Sequence, residues 1–386
     1  MKASLRRLRT FIIALAALAS STACSVPSPA PDLPKEETPA AISAETAQPP
    51  VATTGASSSS FTDATLSPLN EALAAYRQAA AAGGWPHMTA PSKLEVGATG
   101  TVVHSLRVRL AASGDLTGPS DGDRFDTQLA DALRRFQQRH GLLDDAILGP
   151  KTLAALNVPI EDRIRTLQTN LARLQAERRQ WGQRYIVVNT AAAMYRLVEA
   201  GETVFERRVI VGRPNWPTPR LEGLIDEIVF HPTWTVPPRI ARLELLPRIR
   251  REPGYLAAHN MHVVEGLIRQ AAGPDNPLGK VKFVFPNDES IYLHDTNAPS
   301  LFAKADRFLS HGCIRLSNAE ELVRHLLRQE PGWNDALISE KLEMMATESV
   351  LLTHSIPVHI VYDTAWVDED GTVNFRDDTY RRDLGR

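Results

Sequence analysis

Three patterns of apolar and polar positions divide the chain. Across 94–158 the apolar residues recur at spacings of three and four, as in Val103, Leu106 and Leu110, then Leu129, Leu133 and Phe136. That period predicts helices, and Gly114, Gly118, Gly122, Gly141 and Gly149 punctuate them into a compact unit. A shorter helical stretch, 66–82, precedes it and stops at Gly83-Gly84-Trp85-Pro86, where glycine ends the helix and proline forces an extended exit. A charged helix over about 160–181 leads into the second pattern. There 185–189, 193–198, 203–211 and 224–230 are short runs rich in Val and Ile with turn residues between them, which reads as antiparallel β structure. Gly201-Glu202 is the expected hairpin turn. Helical segments at 240–250 and 254–260 interrupt the strands and predict an inserted cap, and strand character returns at 281–286, 290–294 and 357–362. The third pattern is the near absence of apolar order. Residues 24–65 are rich in Ala, Pro, Ser and Thr and read as a flexible tether.

Ahead of that tether, Lys2, Arg6, Arg7 and Arg9 precede an apolar run at 11–19, the pattern of a secretory signal over 1–23. Ser21-Thr22-Ala23-Cys24 resembles a bacterial lipobox, with Cys24 as the lipidated residue; ordinary cleavage at nearly the same place is the alternative. No later run reaches roughly 18 apolar residues. An exported protein of the periplasm or cell envelope is expected, touching membrane only through an N-terminal lipid anchor. The 386 residues suggest two or three folded units. With 43 basic and 45 acidic side chains there is no basic footprint for nucleic acid. Cys24 and Cys313 are the two cysteines, so a disulfide framework is excluded. Export leaves Cys313 a lone thiol in an oxidising compartment, which needs a chemical reason.

The reason lies in two segments. Ile291-Tyr292-Leu293-His294-Asp295-Thr296 closes a short strand, and fourteen residues later comes Ser310-His311-Gly312-Cys313-Ile314-Arg315. Ser317-Asn318-Ala319-Glu320 then has the form of a capping box opening a helix to about Arg328. A cysteine nucleophile acts as its thiolate and needs a base within reach; a strand-end histidine can be held rigidly at a pocket mouth. Gly312 lets backbone approach a ligand closely, and consecutive loop N–H groups can form an oxyanion hole. The arrangement suits attack on an amide carbonyl through a thioester.

Those segments resemble the signature of the YkuD-type L,D-transpeptidases. Further matches are Val211-Gly212-Arg213-Pro214 with Thr218-Pro219, Trp234 to Pro238, Asn276 to Lys280 and Pro357 to Tyr362. The pattern from Gly97 through Phe136-Gln137, Gly141-Leu142 and Gly149 to Leu156-Asn157 resembles the PG-binding-1 three-helix module. From about Leu66 onward the chain is similar to the large periplasmic murein L,D-transpeptidases that carry an inserted cap. The resemblance implies a multi-domain α+β chain: a mainly antiparallel β catalytic domain with a helical cap, plus a small all-α peptidoglycan-binding domain. The expected boundaries are 66–92 for an N-terminal helical segment, 93–158 for the module and 159–183 for a linker helix. The catalytic domain follows at 184–365, with the cap at about 239–280, and a C-terminal extension at 366–386.

It also implies that Cys313, activated by His294, attacks the carbonyl of the third residue of a stem tetrapeptide and expels D-Ala. A second stem's amine then resolves the thioester into a 3→3 cross-link. The N–H groups of His311, Gly312 and Cys313 would surround the oxyanion, and His311 would support that loop. Arg315 shapes the site or holds a substrate carboxylate, with a structural salt bridge as its alternative. Tyr292, Trp234 and Ser310 are candidates for the substrate pocket, core filling being the alternative for the two aromatics. Peptidoglycan stem peptides are the expected partners and carbapenem β-lactams the expected acylating inhibitors. No cofactor is expected. A zinc-dependent wall peptidase could draw on His259, His262, His294, His311 and Cys313, but there is no His-Glu-x-x-His and no defensible ligand spacing. An L,D-carboxypeptidase or endopeptidase, a hydrolase of wall–protein linkages and a non-catalytic wall-binding lipoprotein stay open, as does a helical module that only spaces.

Overall fold

The computed structural model describes residues 61–383 apart from 92, 178 and 180. The expected signal segment, Cys24 and most of the tether lie outside the described residues.

Five helices open the described chain: α1 (Phe61–Ala81), α2 (Thr101–Ala112), α3 (Thr127–Arg139), α4 (Pro150–Leu156) and α5 (Ile160–Glu177). The periodic positions named above are the ones that meet. Val103, Leu106, Leu110, Leu129, Leu133, Phe136 and Leu156 form one core across α2, α3 and α4. Asp126 caps α3 by accepting the Leu129 N–H at 2.9 Å, which satisfies an otherwise orphaned donor of the first turn. Gln137 ties down the loop after α3, donating to Ile147 O at 3.0 Å and accepting from Ala146 N–H at 2.9 Å. α1 starts at Phe61, inside the span read as tether, and packs Leu69 and Leu73 with Leu167 and Leu174 of α5.

The strands follow. β1 (Arg184–Asn189), β2 (Met194–Glu199), β3 (Glu202–Gly212) and β4 (Leu221–Phe230) precede the cap. The cap carries a small sheet, β5 (Trp234–Thr235), β6 (Met261–Val264) and β7 (Leu267–Gln270), and a continuous helical rod. The rod is α6 (Pro238–Ile240), a π-turn (Ala241–Leu245) and α7 (Leu246–Arg251), followed by α8 (Tyr255–Ala258). After it come β8 (Val281–Val284), β9 (Leu293–His294), β10 (Phe308–Ser310), β11 (Ile314–Leu316), α9 (Ala319–Leu327), α10 (Asp335–Glu343) and β12 (Glu348–Val361). A hairpin, β13 (Ala365–Val367) and β14 (Val373–Phe375), ends the described fold.

The main sheet runs β10-β3-β11-β9-β8-β4-β12-β1-β2, and β2 also pairs with β3, so the strands close into a ring. Most pairs are antiparallel; β1 with β12, β3 with β10 and β9 with β11 are parallel. Ile186, Val188, Leu197, Ile228, Phe283, Leu293 and Ile314 fill the core against Leu322, Val323 and Leu326 of α9. Each such residue, fully buried, contributes about 1.5–3 kcal/mol.

Two local expectations change. The β2–β3 turn is Ala200-Gly201, both with positive φ, one residue earlier than Gly201-Glu202. The Ser317 capping box does not form. Ser317 Oγ instead donates to Arg208 O at 2.8 Å, and Asn318, at φ 54°, is the residue before the helix. Tying Ser317 to β3 fixes β11 in the ring, and that tertiary bond replaces the local cap.

Candidate active site

Residues 310–314 form a tight loop between β10 and β11, and its hydrogen bonds are made locally. Ser310 Oγ accepts from Gly312 N–H at 3.1 Å and donates to Cys313 O at 2.6 Å. Thr218, fully buried, donates from Oγ1 to Gly312 O at 2.7 Å and accepts from Gly212 N–H at 2.9 Å. Gly312 has φ 118°, a conformation that L side chains rarely adopt. At Gly212 a Cβ would overlap the Trp216 carbonyl, so only glycine lets β3 approach that closely. Tyr380 donates to Gly212 O, and Arg382 Nη2 donates to Thr218 O at 3.0 Å. The C-terminal extension thus braces the loop from behind.

This bracing alters one expectation. The Gly312 N–H is already engaged by Ser310, so of the three loop N–H groups only those of His311 and Cys313 lack a protein acceptor among the described residues. Ser310 is 2% exposed with its hydroxyl committed to the loop, which makes it a strut rather than a pocket wall.

Cys313 is a free, half-buried thiol packed against the sheet core. Its Sγ lies 3.8 Å from Ser290 O. Burial pushes the thiol up, while the Tyr292 N–H and hydroxyl and the charges of Lys282 and Arg315 pull it back toward the thiolate. On the adjacent β9, His294 is 4% exposed. Burial first, then the charges of Arg315 and Lys282, lowers it to about 3, against the backbone carbonyls of Asp295 and Leu278. The imidazole is therefore neutral, and its Nδ1 is buried without a partner among the described residues. No hydrogen bond joins either histidine to Sγ among the described residues. Register explains the grouping. Arg315 lies opposite His294 on the parallel pair β11–β9, and Lys282 lies opposite His294 on the antiparallel pair β8–β9. Directly opposed residues share a face, so a cation, an imidazole and a cation stand in a row across three strands. Tyr292 sits beside His294, ring centroids 5.5 Å apart, with Lys282 Nζ 4.2 Å from the Tyr292 ring centroid. The Trp234 indole acts on the Tyr292 hydroxyl from the cap side. Arg315 has no salt bridge among the described residues, and its Nε is buried and unpartnered.

His311 faces the cap. Its Nε2 donates to Glu244 Oε1 at 2.6 Å, and Arg213 Nη2 donates to the same oxygen at 2.8 Å. Glu244 belongs to the π-turn Ala241–Leu245, a local widening of the helix that is frequent at functional sites. Burial pushes its carboxyl up, but the hydrogen bonds from His311 and Arg213 prevail and hold it below the usual range. Trp216 meets His311 edge-on at 4.9 Å, and the Arg239 guanidinium stacks on Trp216 at 3.8 Å. A carboxylate only accepts, so the His311 proton sits on Nε2.

Cys313, His294, Tyr292, Arg315 and Trp234 thus gather on one side of the ring, while His311, Gly312 and Ser310 build the loop that carries the cysteine. No motif in the sequence marks Lys282 or Glu244. Lys282 carried a weak signal, the polar position in the alternating Val281-Lys282-Phe283-Val284. Glu244 carried none, since only the fold brings the cap rod to the loop.

Residues 183–339 match the family model YkuD, an L,D-transpeptidase catalytic domain, and residues 99–156 match PG_binding_1, a "Putative peptidoglycan binding domain". A "Putative L,D-transpeptidase" of Haemophilus influenzae is 32% identical over 213 residues, covering 50% of this chain and 43% of the relative. The chain thus spans less than half the length of that curated relative. Among solved structures, the L,D-transpeptidase from Stackebrandtia nassauensis is 14% identical, covering 71% of this chain and 98% of that one, at TM-score 0.29. The L,D-transpeptidase LdtMt1 in complex with imipenem is 14% identical, covering 46% of this chain and 59% of that one, at TM-score 0.25.

Proposed function

For a chain that carries an L,D-transpeptidase catalytic domain beside a peptidoglycan-binding domain, we propose a cysteine-dependent murein L,D-transpeptidase that forms 3→3 cross-links. One observation carries the reading: a free thiol, Cys313, shares a face with a neutral buried imidazole, His294, beside two backbone N–H groups that have no protein acceptor among the described residues. The acyl donor is a stem tetrapeptide with a diamino acid at its third position. Burial holds thiol and imidazole uncharged at rest, so proton transfer to His294 accompanies attack of Sγ on the third residue's carbonyl carbon. The carbonyl electrons move onto oxygen, where the His311 and Cys313 N–H groups donate to them. Collapse breaks the C–N bond, and D-Ala leaves as the amine with the proton held by His294. The side-chain amine of a second stem then attacks the thioester and gives its proton to His294, and the thiolate leaves and is reprotonated.

Export follows from the same reading, with residues 1–23 as the signal and Cys24 as the lipid anchor in the cell envelope. The module at 99–156 holds the enzyme on the wall. A carbapenem presents a strained amide carbonyl to the same sulfur and is expected to acylate it. The test is mass analysis of muropeptides after incubation with a tetrapeptide substrate. A product with the mass of two stems less one D-Ala, lost in Cys313→Ser, supports the reading. Tripeptide alone would make the protein an L,D-carboxypeptidase, and no product with either protein would remove the catalytic reading.

A further inference from the structure

Several buried or half-buried arginines elsewhere in this fold have acidic partners, and others, such as Arg109, Arg163 and Arg376, are met by backbone carbonyls. Arg139 holds Asp115 at 2.6 Å, Arg179 holds Asp363 at 2.7 Å, and Arg196 holds Asp368 at 2.8 Å. The two cations beside Cys313 have no acidic partner among the described residues. Among the described residues Arg315 makes no hydrogen bond or ion pair, and its Nε is buried and unsatisfied. Lys282 makes no ion pair either, and its Nζ rests over the Tyr292 ring. Glu227 on the neighbouring strand acts on Lys282 through its field only. Both cations are opposite His294 in register, so two like charges flank one imidazole on one face. Like charges brought together and taken from water cost free energy, and among the described residues no anion pairs directly with either of them.

An anion that completes this arrangement must lie within a few Å of the thiol, because Arg315 is two strand residues, about 7 Å, from Cys313. We propose that Lys282 and Arg315 form a carboxylate seat that takes the terminal carboxylate of the acyl donor's leaving residue, so that the enzyme reads the end of the stem peptide. The inference rests on the transpeptidase reading above and names how its donor is chosen. In a tetrapeptide the leaving D-Ala carries its carboxylate one carbon beyond the scissile nitrogen, within reach of a cation near the sulfur. In a longer stem that position is a neutral amide and the seat stays empty. The seated anion would also offset the two positive charges that disfavour protonation of His294, so correct seating improves the base. The free carboxylate of the diamino acid offers the same chemistry from a second source.

The experiment measures acyl-enzyme formation by mass for the full chain and for Lys282→Met and Lys282→Arg. Three donors are used: the tetrapeptide, the tetrapeptide ending in D-alaninamide, and the tetrapeptide with an amidated diamino acid. Iodoacetamide, a neutral electrophile, reports the intrinsic reactivity of Cys313 in each variant. A charge-assisted hydrogen bond is worth about 1.5–3 kcal/mol, roughly 10–150-fold. The wild type is expected to lose on the order of 10–100-fold on the D-alaninamide donor and little on the other amide. Lys282→Met should lose a similar factor on the free tetrapeptide beyond any change in iodoacetamide rate, and lose little more on the D-alaninamide. Lys282→Arg should recover most of it. If Lys282→Met loses the same factor on every donor, the cations only tune the thiol and the seat falls. A loss confined to the amidated diamino acid overturns the assignment to the leaving residue. If no donor acylates the wild type while iodoacetamide still labels it, the transpeptidase reading fails and the seat with it.

Discussion

Glu244 Oε1 accepts the Nε2 proton of His311 at 2.6 Å, joining the cap rod to the loop that carries Cys313. The side chains of His311 and Glu244 are 24% and 32% exposed, so the pair contributes little to global stability, about 0–1 kcal/mol. Its effect is on geometry, because Arg213 and Glu244 together fix the loop at the residue whose N–H is free to meet an oxyanion. Glu244→Ala should lower the acylation rate on the order of 10-fold with an unchanged melting temperature. Glu244→Gln keeps an acceptor oxygen and should retain most of the activity. Equal rates in all three proteins would reduce the contact to an ordinary surface pair.

Thr218 is a more demanding position. Its hydroxyl bridges Gly212 N–H and Gly312 O, and both backbone groups are enclosed by the loop. Valine matches its volume but leaves donor and acceptor unpaired, at about 1–3 kcal/mol for each group. Thr218→Val should therefore shift the denaturation midpoint downward and reduce acylation, because Gly312 links the two N–H donors. Thr218→Ser should restore both. Stability at the wild-type level in Thr218→Val would show that the loop holds itself without the bridge.

The sequence carried much of this because the chemistry lies in short contiguous segments. His294 ends a strand and Cys313 follows a glycine, so their meeting on one face could be expected from the order of elements. The core of α2, α3 and α4 was equally legible, since a spacing of three and four leaves little choice of buried face. What escaped depends on register or tertiary contact. Lys282 reaches His294 only because β8 pairs antiparallel with β9 at that register, and Glu244 reaches His311 only because the cap folds over the loop. Ser317 misled for the same reason, as β3 offered its hydroxyl a carbonyl that a local motif could not foresee.

The helical module is docked, not merely tethered. Arg376 Nη1 donates to Arg139 O at 3.0 Å, and His140 stacks on Phe375 with ring centroids 5.7 Å apart. Phe375 is 1% exposed and shares a core with α1 and α5. Deleting 94–157 should cut retention on insoluble peptidoglycan more than it cuts Cys313 alkylation. It should also lower the melting temperature, because the His140 side of Phe375 is uncovered. Unchanged retention would make the module a spacer. Unchanged stability would show that the docking contact adds nothing.

Variants at the two histidines are expected to differ most in the pH profile of acylation. His294, lowered to about 3, remains an unprotonated acceptor across the neutral and mildly acidic range. Cys313, pushed up by burial, remains a thiol over the same range. If His294 takes the proton during attack, wild-type acylation by a small neutral ester should be nearly flat between about pH 5 and 8, because neither partner titrates there. Removing that base leaves only the pre-formed thiolate, whose fraction rises about tenfold per pH unit below the thiol's own pKa. His294→Ala should therefore be slow at neutral pH and recover steeply in alkali. His311→Ala should keep the flat profile at a lower level, because what it loses is the loop geometry that stabilises the oxyanion at every pH. Acylation of the two variants from pH 5 to 10, followed by mass, checks both expectations. A steep alkaline rise in His311→Ala with a flat profile in His294→Ala would exchange the two roles, and a steep rise already in the wild type would mean that Cys313 reacts without a base.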